Sequence, residues 1–223
     1  MTSIFNNETI SGNFGLCVRG YHMLNTDPIK EAVWEQINVQ VFKHSGIEVI
    51  GQACGSHSSG CDIETTSGRF SNKSAKYEKT GFSISSYRLT AVTNSENPGT
   101  PEEISDEINK RKNFNYYSVI LREELDKGGF KYDWYMIPSD HPNFDPCVGS
   151  WIPTMGKRGK NAGKQIGWEK SDGSMKISFS MSSQLWIYLK AVEEMKQFII
   201  ASTIYDGKLP EMDYIGLAKA TIG

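Results

Sequence analysis

Residues 116–139 constrain this chain more than any other stretch. The runs "YYSVILREE" and "KYDWYMIPS" are dense in aromatic and β-branched residues, and "LDKGG" separates them. Such side chains fit a pleated, half-buried surface, so the pattern predicts two adjacent strands joined by a turn. Any fold for this chain has to be built around a sheet that contains them.

The segments before this pair supply helices and more strands. Asp27-Pro28 reads as a helix start, and Ile29, Val33, Ile37 and Val41 recur every four residues up to a stop at Ser45-Gly46. "IEVIGQAC" and "CDIETT" read as strands around the polar turn "GSHSSG". Ser67-Gly68 turns the chain into "RFSNKSAKY", and "FSISSYRLTAV" is a further extended segment. Thr100-Pro101-Glu102-Glu103 is a capping box with proline in the first turn, which opens a helix over about Pro101 to Lys112 with Ile104 and Ile108 inward.

Beyond the strand pair, residues 138–174 form a long Gly-, Pro- and charge-rich excursion, a length that usually marks function. "SMKISFSM" alternates like a strand, and "SSQLWIYLKAVEEMKQFIIAS" reads as a capped amphipathic helix. The order predicts an α/β fold with a mixed central sheet flanked by helices. The expected organisation is a single domain over 1–223. Its core lies at about 28–137, its insertion at 138–174, and a strand and helix follow at 174–203.

Composition narrows the function classes. With 38% apolar and 22% charged residues, the chain is globular in type and not disordered. No apolar run reaches the length of a membrane span, and "MTSIFNNETISGNFG" lacks the basic start and apolar core of a secretory signal, so a cytoplasmic, non-membrane protein is expected. The four cysteines, Cys17, Cys54, Cys61 and Cys147, form no C-x-x-C pair, which argues against a structural zinc site. A formal net charge of −2 argues against a generic polyanion binder. Charge is nevertheless unevenly placed. Lys157, Arg158, Lys160, Lys164 and Lys170 crowd "GKRGKNAGKQIGWEK" against Glu169 alone, which suits a partner gripped at one place.

The stretch "GCDIETTSGRFSNKSAK" carries the chemistry. On a strand Asp62 and Glu64 share one face and Ile63 takes the other. Two Ser-x-Lys triplets follow, Ser71-Asn72-Lys73 and Ser74-Ala75-Lys76, the first lying nine to eleven residues after Asp62. With the order helix, three strands, helix, strand, this stretch resembles the PD-(D/E)xK nuclease superfamily, which includes most type II restriction endonucleases. The resemblance covers roughly residues 28–137. It departs from the family pattern at Cys61, where proline is usual, and at Ser71, where the acid of the acid-x-Lys triplet is usual.

The resemblance implies an αβββαβ core and a sequence-specific endonuclease that hydrolyses double-stranded DNA with Mg²⁺. Asp62 would be a metal ligand, Ser71 would occupy the acid position, and Lys73 would orient the attacking water. Lys76 is the competing lysine if the second triplet is the true one. The missing carboxylate would come from Glu64 or Glu48, and backbone carbonyl 72 is a further ligand. Glu31 and Glu35 could approach a metal from the first helix, a solvated helix face being the simpler reading. The basic run, with Lys157, Arg158, Lys160 and Lys164, would contact DNA, and Trp168 beside it could join. A two-fold homodimer would present two sites to a palindromic duplex, with the last helix as its interface. Two alternatives stay open: a structure-specific or repair-type nuclease of the same fold, and a non-catalytic nucleic-acid-binding module. His57 in its polar turn and the "HPNFD" run at 141–145 match no site.

Overall fold

The computed structural model describes residues 5, 7–52, 60–190 and 192–208. The chain opens with a helix that the sequence patterning does not announce, α1 (Glu8–His22). Gly12, Gly15 and Gly20 lower its intrinsic propensity, so periodicity alone does not reveal it. Packing decides. Ile10, Phe14 and Val18 are buried along one face, and the Asn7 side chain caps the first turn by accepting from the Ile10 amide at 2.9 Å.

Helix α2 (Glu31–His44) starts later than Asp27-Pro28 suggests. Lys30 is its N-cap, and Ile29 is buried just outside it. Trp34, Ile37, Val41 and Phe42 form its buried face, and the chain leaves it through Ser45 and Gly46, the latter at φ +76. Strands β1 (Val49–Gln52), β2 (Ile63–Thr65) and β3 (Gly68–Lys76) follow, then β4 (Phe82–Arg88). Helix α3 (Pro101–Arg111) carries the expected reciprocal capping box between Thr100 and Glu103, with Ile104 and Ile108 buried. The pair at the centre of the sequence argument is β5 (Tyr116–Glu124) and β6 (Phe130–Pro138), antiparallel along its length.

The excursion at 138–174 is not structureless. It holds β7 (Trp151–Met155) and β8 (Gln165–Lys170) as an antiparallel pair, and β9 (Met175–Ser178) continues the sheet. The expected C-terminal helix is also not formed. Its residues divide into β10 (Gln184–Leu189), a single turn α4 (Val192–Met195) and β11 (Ile199–Tyr205). In "QLWIYL" burial alternates every residue, with Leu185, Ile187 and Leu189 inward, which is the period of a strand.

Over the described residues the molecule is therefore a mixed α/β protein with two sheets. One has six strands in the order β1-β2-β3-β5-β6-β11, and β3 and β5 are its parallel pair. The other has five strands in the order β4-β10-β9-β8-β7, all antiparallel. Strand β4 thus leaves the first sheet for the second, and with α3 makes the crossover that a parallel pair requires. Two apolar clusters result. Phe14, Trp34, Phe42, Phe70, Ile120 and Trp134 pack beneath α1 and α2. Val119, Leu121, Ile104, Ile177, Ile187 and Leu189 fill the space between the sheets and α3. Among the described residues no helix is long and apolar enough to cross a membrane.

Candidate active site

The site forms where β2 parts from β3. Their ladder runs Thr65 to Gly68, Glu64 to Arg69 and Ile63 to Phe70, and the Asp62 amide makes one more bond to the Phe70 carbonyl at 2.8 Å. There β2 ends while β3 continues, still paired on its other side with β5 through Asn72 to Ser118 and Lys73 to Val119. The next amide on the released edge belongs to Asn72. It donates to Asp62 Oδ2 at 2.6 Å, and Ser71 Oγ donates to the same oxygen at 3.3 Å. A carboxylate side chain thus replaces the missing rung of the ladder, which satisfies a donor that would otherwise be orphaned.

Lys73 is drawn into this fork. It is only 8% exposed, and its Nζ donates to Glu31 Oε1 at 2.9 Å and to the Asn72 carbonyl at 2.6 Å, with Asp62 Oδ2 at 3.8 Å. Burial pushes the Lys73 ammonium toward its neutral form, but Glu31 and Asp62 outweigh it and hold the pKa above the ordinary lysine value. Glu35 is the counterpart. Burial, then the negative charges of Asp62 and Glu31, push its carboxyl above the ordinary glutamate range against the opposing pull of Lys73. Glu31, Glu35, Asp62 and Lys73 therefore share one electrostatic environment.

A buried polar chain lies behind them. Asn38 donates from its amide nitrogen to Asn72 Oδ1 at 2.6 Å and to Ser118 Oγ at 2.6 Å. Trp134 Nε1 reaches the same hydroxyl at 2.9 Å, and Trp34 Nε1 donates to the Ser118 carbonyl at 3.0 Å. Asn38, Asn72 and Ser118 are fully buried, so residue 72 is held through side chain, amide and carbonyl at once.

Asp62, Ser71 and Lys73 are thus brought together. Lys76 points away and pairs with Glu124 Oε1 at 2.7 Å on the exposed surface. The geometry selects Ser71-Asn72-Lys73 as the triplet beside Asp62. The acids expected to complete it lie elsewhere. Glu64 is exposed and pairs with Arg69 at 3.9 Å, while Asp62, just ahead of β2, turns its carboxylate to β3. Glu48 is exposed ahead of β1, where its carbonyl accepts from the Thr66 amide. The carboxylates beside Lys73 come from α2, as Glu31 and Glu35. Their i, i+4 spacing, with Asn38 at i+7, is legible in the sequence, but which helix face meets β3 is not.

Lys157, Arg158, Lys160 and Lys164 are exposed on the hairpin joining β7 to β8, around a short 3₁₀ turn at Gly159–Asn161. Lys170 does not belong with them. It is 2% exposed, donates to the Pro146 carbonyl at 2.7 Å and the Gly149 carbonyl at 3.3 Å, and lies over the Trp151 ring. Trp168 is buried too, its Nε1 donating to the Pro98 carbonyl at 2.8 Å, so it is no surface contact. Cys54 and His57 lie outside the described residues, and Cys17, Cys61 and Cys147 carry free thiols. His141 caps the 3₁₀ turn at Pro142–Phe144.

Among the described residues no group of three or more His, Cys, Asp or Glu side chains is placed to hold a metal ion. Compared with protein-family models, with curated proteins and with solved structures, the chain matches none.

Proposed function

We propose that this chain is a Mg²⁺-dependent endonuclease of the PD-(D/E)xK kind, acting in the cytoplasm on double-stranded DNA in the manner of a type II restriction enzyme. The observation that carries this reading is the placement of Lys73. A nearly buried ammonium lies at a strand fork with the Asp62 and Glu31 carboxylates at 3.8 and 2.9 Å and the carbonyl of Asn72 at 2.6 Å. The element order from α2 through β1, β2, β3, β4 and α3 to β5, in which β4 pairs into the other sheet, supports the same reading.

The donor set fits Mg²⁺. That ion keeps several waters and is commonly held by one or two carboxylates plus substrate phosphate, so a three-acid cluster is not required. Crowding of Glu35 by Asp62 and Glu31 is the arrangement a bound cation would relieve. Asp62, the carbonyl of Asn72 and a glutamate of α2 would hold the ion. Bound there, it would supply charge neutralisation and a more acidic water.

The protein's own groups have separate tasks. Lys73, its pKa raised, remains an ammonium at neutral pH, so it serves as a donor that orients water or stabilises charge on the phosphate, not as a base. Ser71 shares Asp62 Oδ2 with the Asn72 amide and restricts how the carboxylate turns. The β7–β8 hairpin offers Lys157, Arg158, Lys160 and Lys164 to the phosphate backbone. A homodimer would supply one site for each strand.

One observation favours a second reading, a nucleic-acid-binding module without catalysis. Glu31 neutralises Lys73 directly, as in a structural ion pair. Plasmid cleavage decides. Discrete fragments in Mg²⁺, none in EDTA, and a loss of at least about 100-fold for both Asp62→Ala and Lys73→Ala are expected, with Lys76→Ala near wild type. Tight DNA binding without cleavage in Mg²⁺ or Mn²⁺ would establish the module instead, and a smear would indicate a nonspecific nuclease.

A further inference from the structure

Glu31, Glu35 and Asn38 stand at i, i+4 and i+7, on one stripe of α2. Two of them are tied to neighbouring residues of β3. Glu31 accepts from Lys73 at 2.9 Å, and Asn38 donates to Asn72 at 2.6 Å. Glu35 lies between these two ties and faces the Asp62 charge. The ties differ in kind. Glu31 is part of the site and partly exposed, whereas Asn38 is completely buried and touches neither Asp62 nor Lys73 through any bond described. A buried amide is costly to leave unpaired, so the helix cannot slide along β3 without breaking the bonds to Asn72 and Ser118. Residue 72 in turn holds the site through its amide to Asp62 and its carbonyl to Lys73.

We propose that Asn38 is a positioning residue: by gripping Asn72 it sets the register of α2 on β3, and so fixes where Glu31 and Glu35 stand relative to Asp62 and Lys73. An apolar side chain of similar size at position 38 would keep the core filled and lose that register. The proposal rests on the nuclease reading only for the metal and cleavage consequences, not for the geometry.

The test separates positioning from stability. In Asn38→Leu alone Asn72 Oδ1 and Ser118 Oγ lose the donor that Asn38 supplies, and the cost of that buried orphan masks a positioning effect. The double variant Asn38→Leu/Asn72→Leu removes both polar partners and leaves no orphan between them. Hydrogen exchange is followed at the residue-72 amide and at the β5 amides of Val119 and Ile120. Corrected for intrinsic rate, the residue-72 amide should exchange about tenfold or more faster as its bond to Asp62 loosens, while the β5 amides keep their protection. Mn²⁺ binding should weaken by about tenfold or more, as expected when a group behind the ligands is removed. Protection at residue 72 that is unchanged, or that falls only in step with β5, overturns the proposal whatever the DNA assay shows. If the residue-72 amide alone loosens while wild type binds no Mn²⁺ and cuts no DNA, the positioning role stands and the nuclease reading fails.

Discussion

Burial alone would drive the Lys73 ammonium toward neutrality, and the two carboxylates around it reverse that outcome, whereas Glu35 has burial and its neighbours' charges acting together. The consequence for stability follows from linkage. Because the folded-state pKa of Glu35 is raised, the folded protein holds its proton over a range where the unfolded chain has released it, and stability from this group is lost as pH rises from the ordinary glutamate value, about 4.3, through the raised one. Glu35→Gln is therefore expected to raise the melting temperature relative to wild type above that window without divalent cations, and to lose the advantage in more acidic buffer. Melting curves across pH check this, and an advantage independent of pH would show that charge is not the cause. At this scale Asp62, Ser71 and Lys73 were legible as a group, because a strand fork needs only the local spacing of a turn and two strands. Glu31 and Glu35 were legible only as acids that could approach from the first helix, with a solvated face the simpler reading, because their place depends on which face of α2 meets a strand about 40 residues away.

Among the elements, strand and helix exchange places where hydrophobic periodicity is ambiguous. "QLWIYL" and "IIASTIY" become β10 and β11 because Trp, Ile and Tyr suit a sheet and because β4, β9 and β6 offer unpaired edges to receive them. The segment expected to form a helical dimer interface is thus divided between one strand of each sheet and the short helical turns that join them. The basic run on the β7–β8 hairpin is likewise an ordered projection carrying four exposed cations at Lys157, Arg158, Lys160 and Lys164. If three of them meet phosphates, replacing Lys157, Arg158 and Lys160 by Ala should flatten the slope of log affinity against log salt by about two to three units. Titration of DNA at several salt concentrations measures this, and superimposable curves would assign the hairpin to plain solvated surface.

Across the whole molecule, β5 is the shared support. Successive side chains enter opposite clusters, Ile120 beneath the helices and Val119 and Leu121 between the sheets. Ile120 is 1% exposed, so Ile120→Ala should cost about 2–5 kcal/mol, read as a lowered denaturant midpoint with the slope unchanged. A loss under about 1 kcal/mol would mean that the cluster refills the space readily. The sequence by itself determined the β5–β6 pair, the capped α3 and the turn that precedes Ser71-Asn72-Lys73, since each follows from side-chain fit, capping or turn chemistry within a short stretch. Only the tertiary structure decided that β4 leaves the first sheet, that residues 138–174 build part of a second one, that α1 forms despite its glycines, and that α2 supplies the acids beside Lys73. Those outcomes depend on long-range burial and strand pairing, where partners far apart in the chain settle between local alternatives of similar energy.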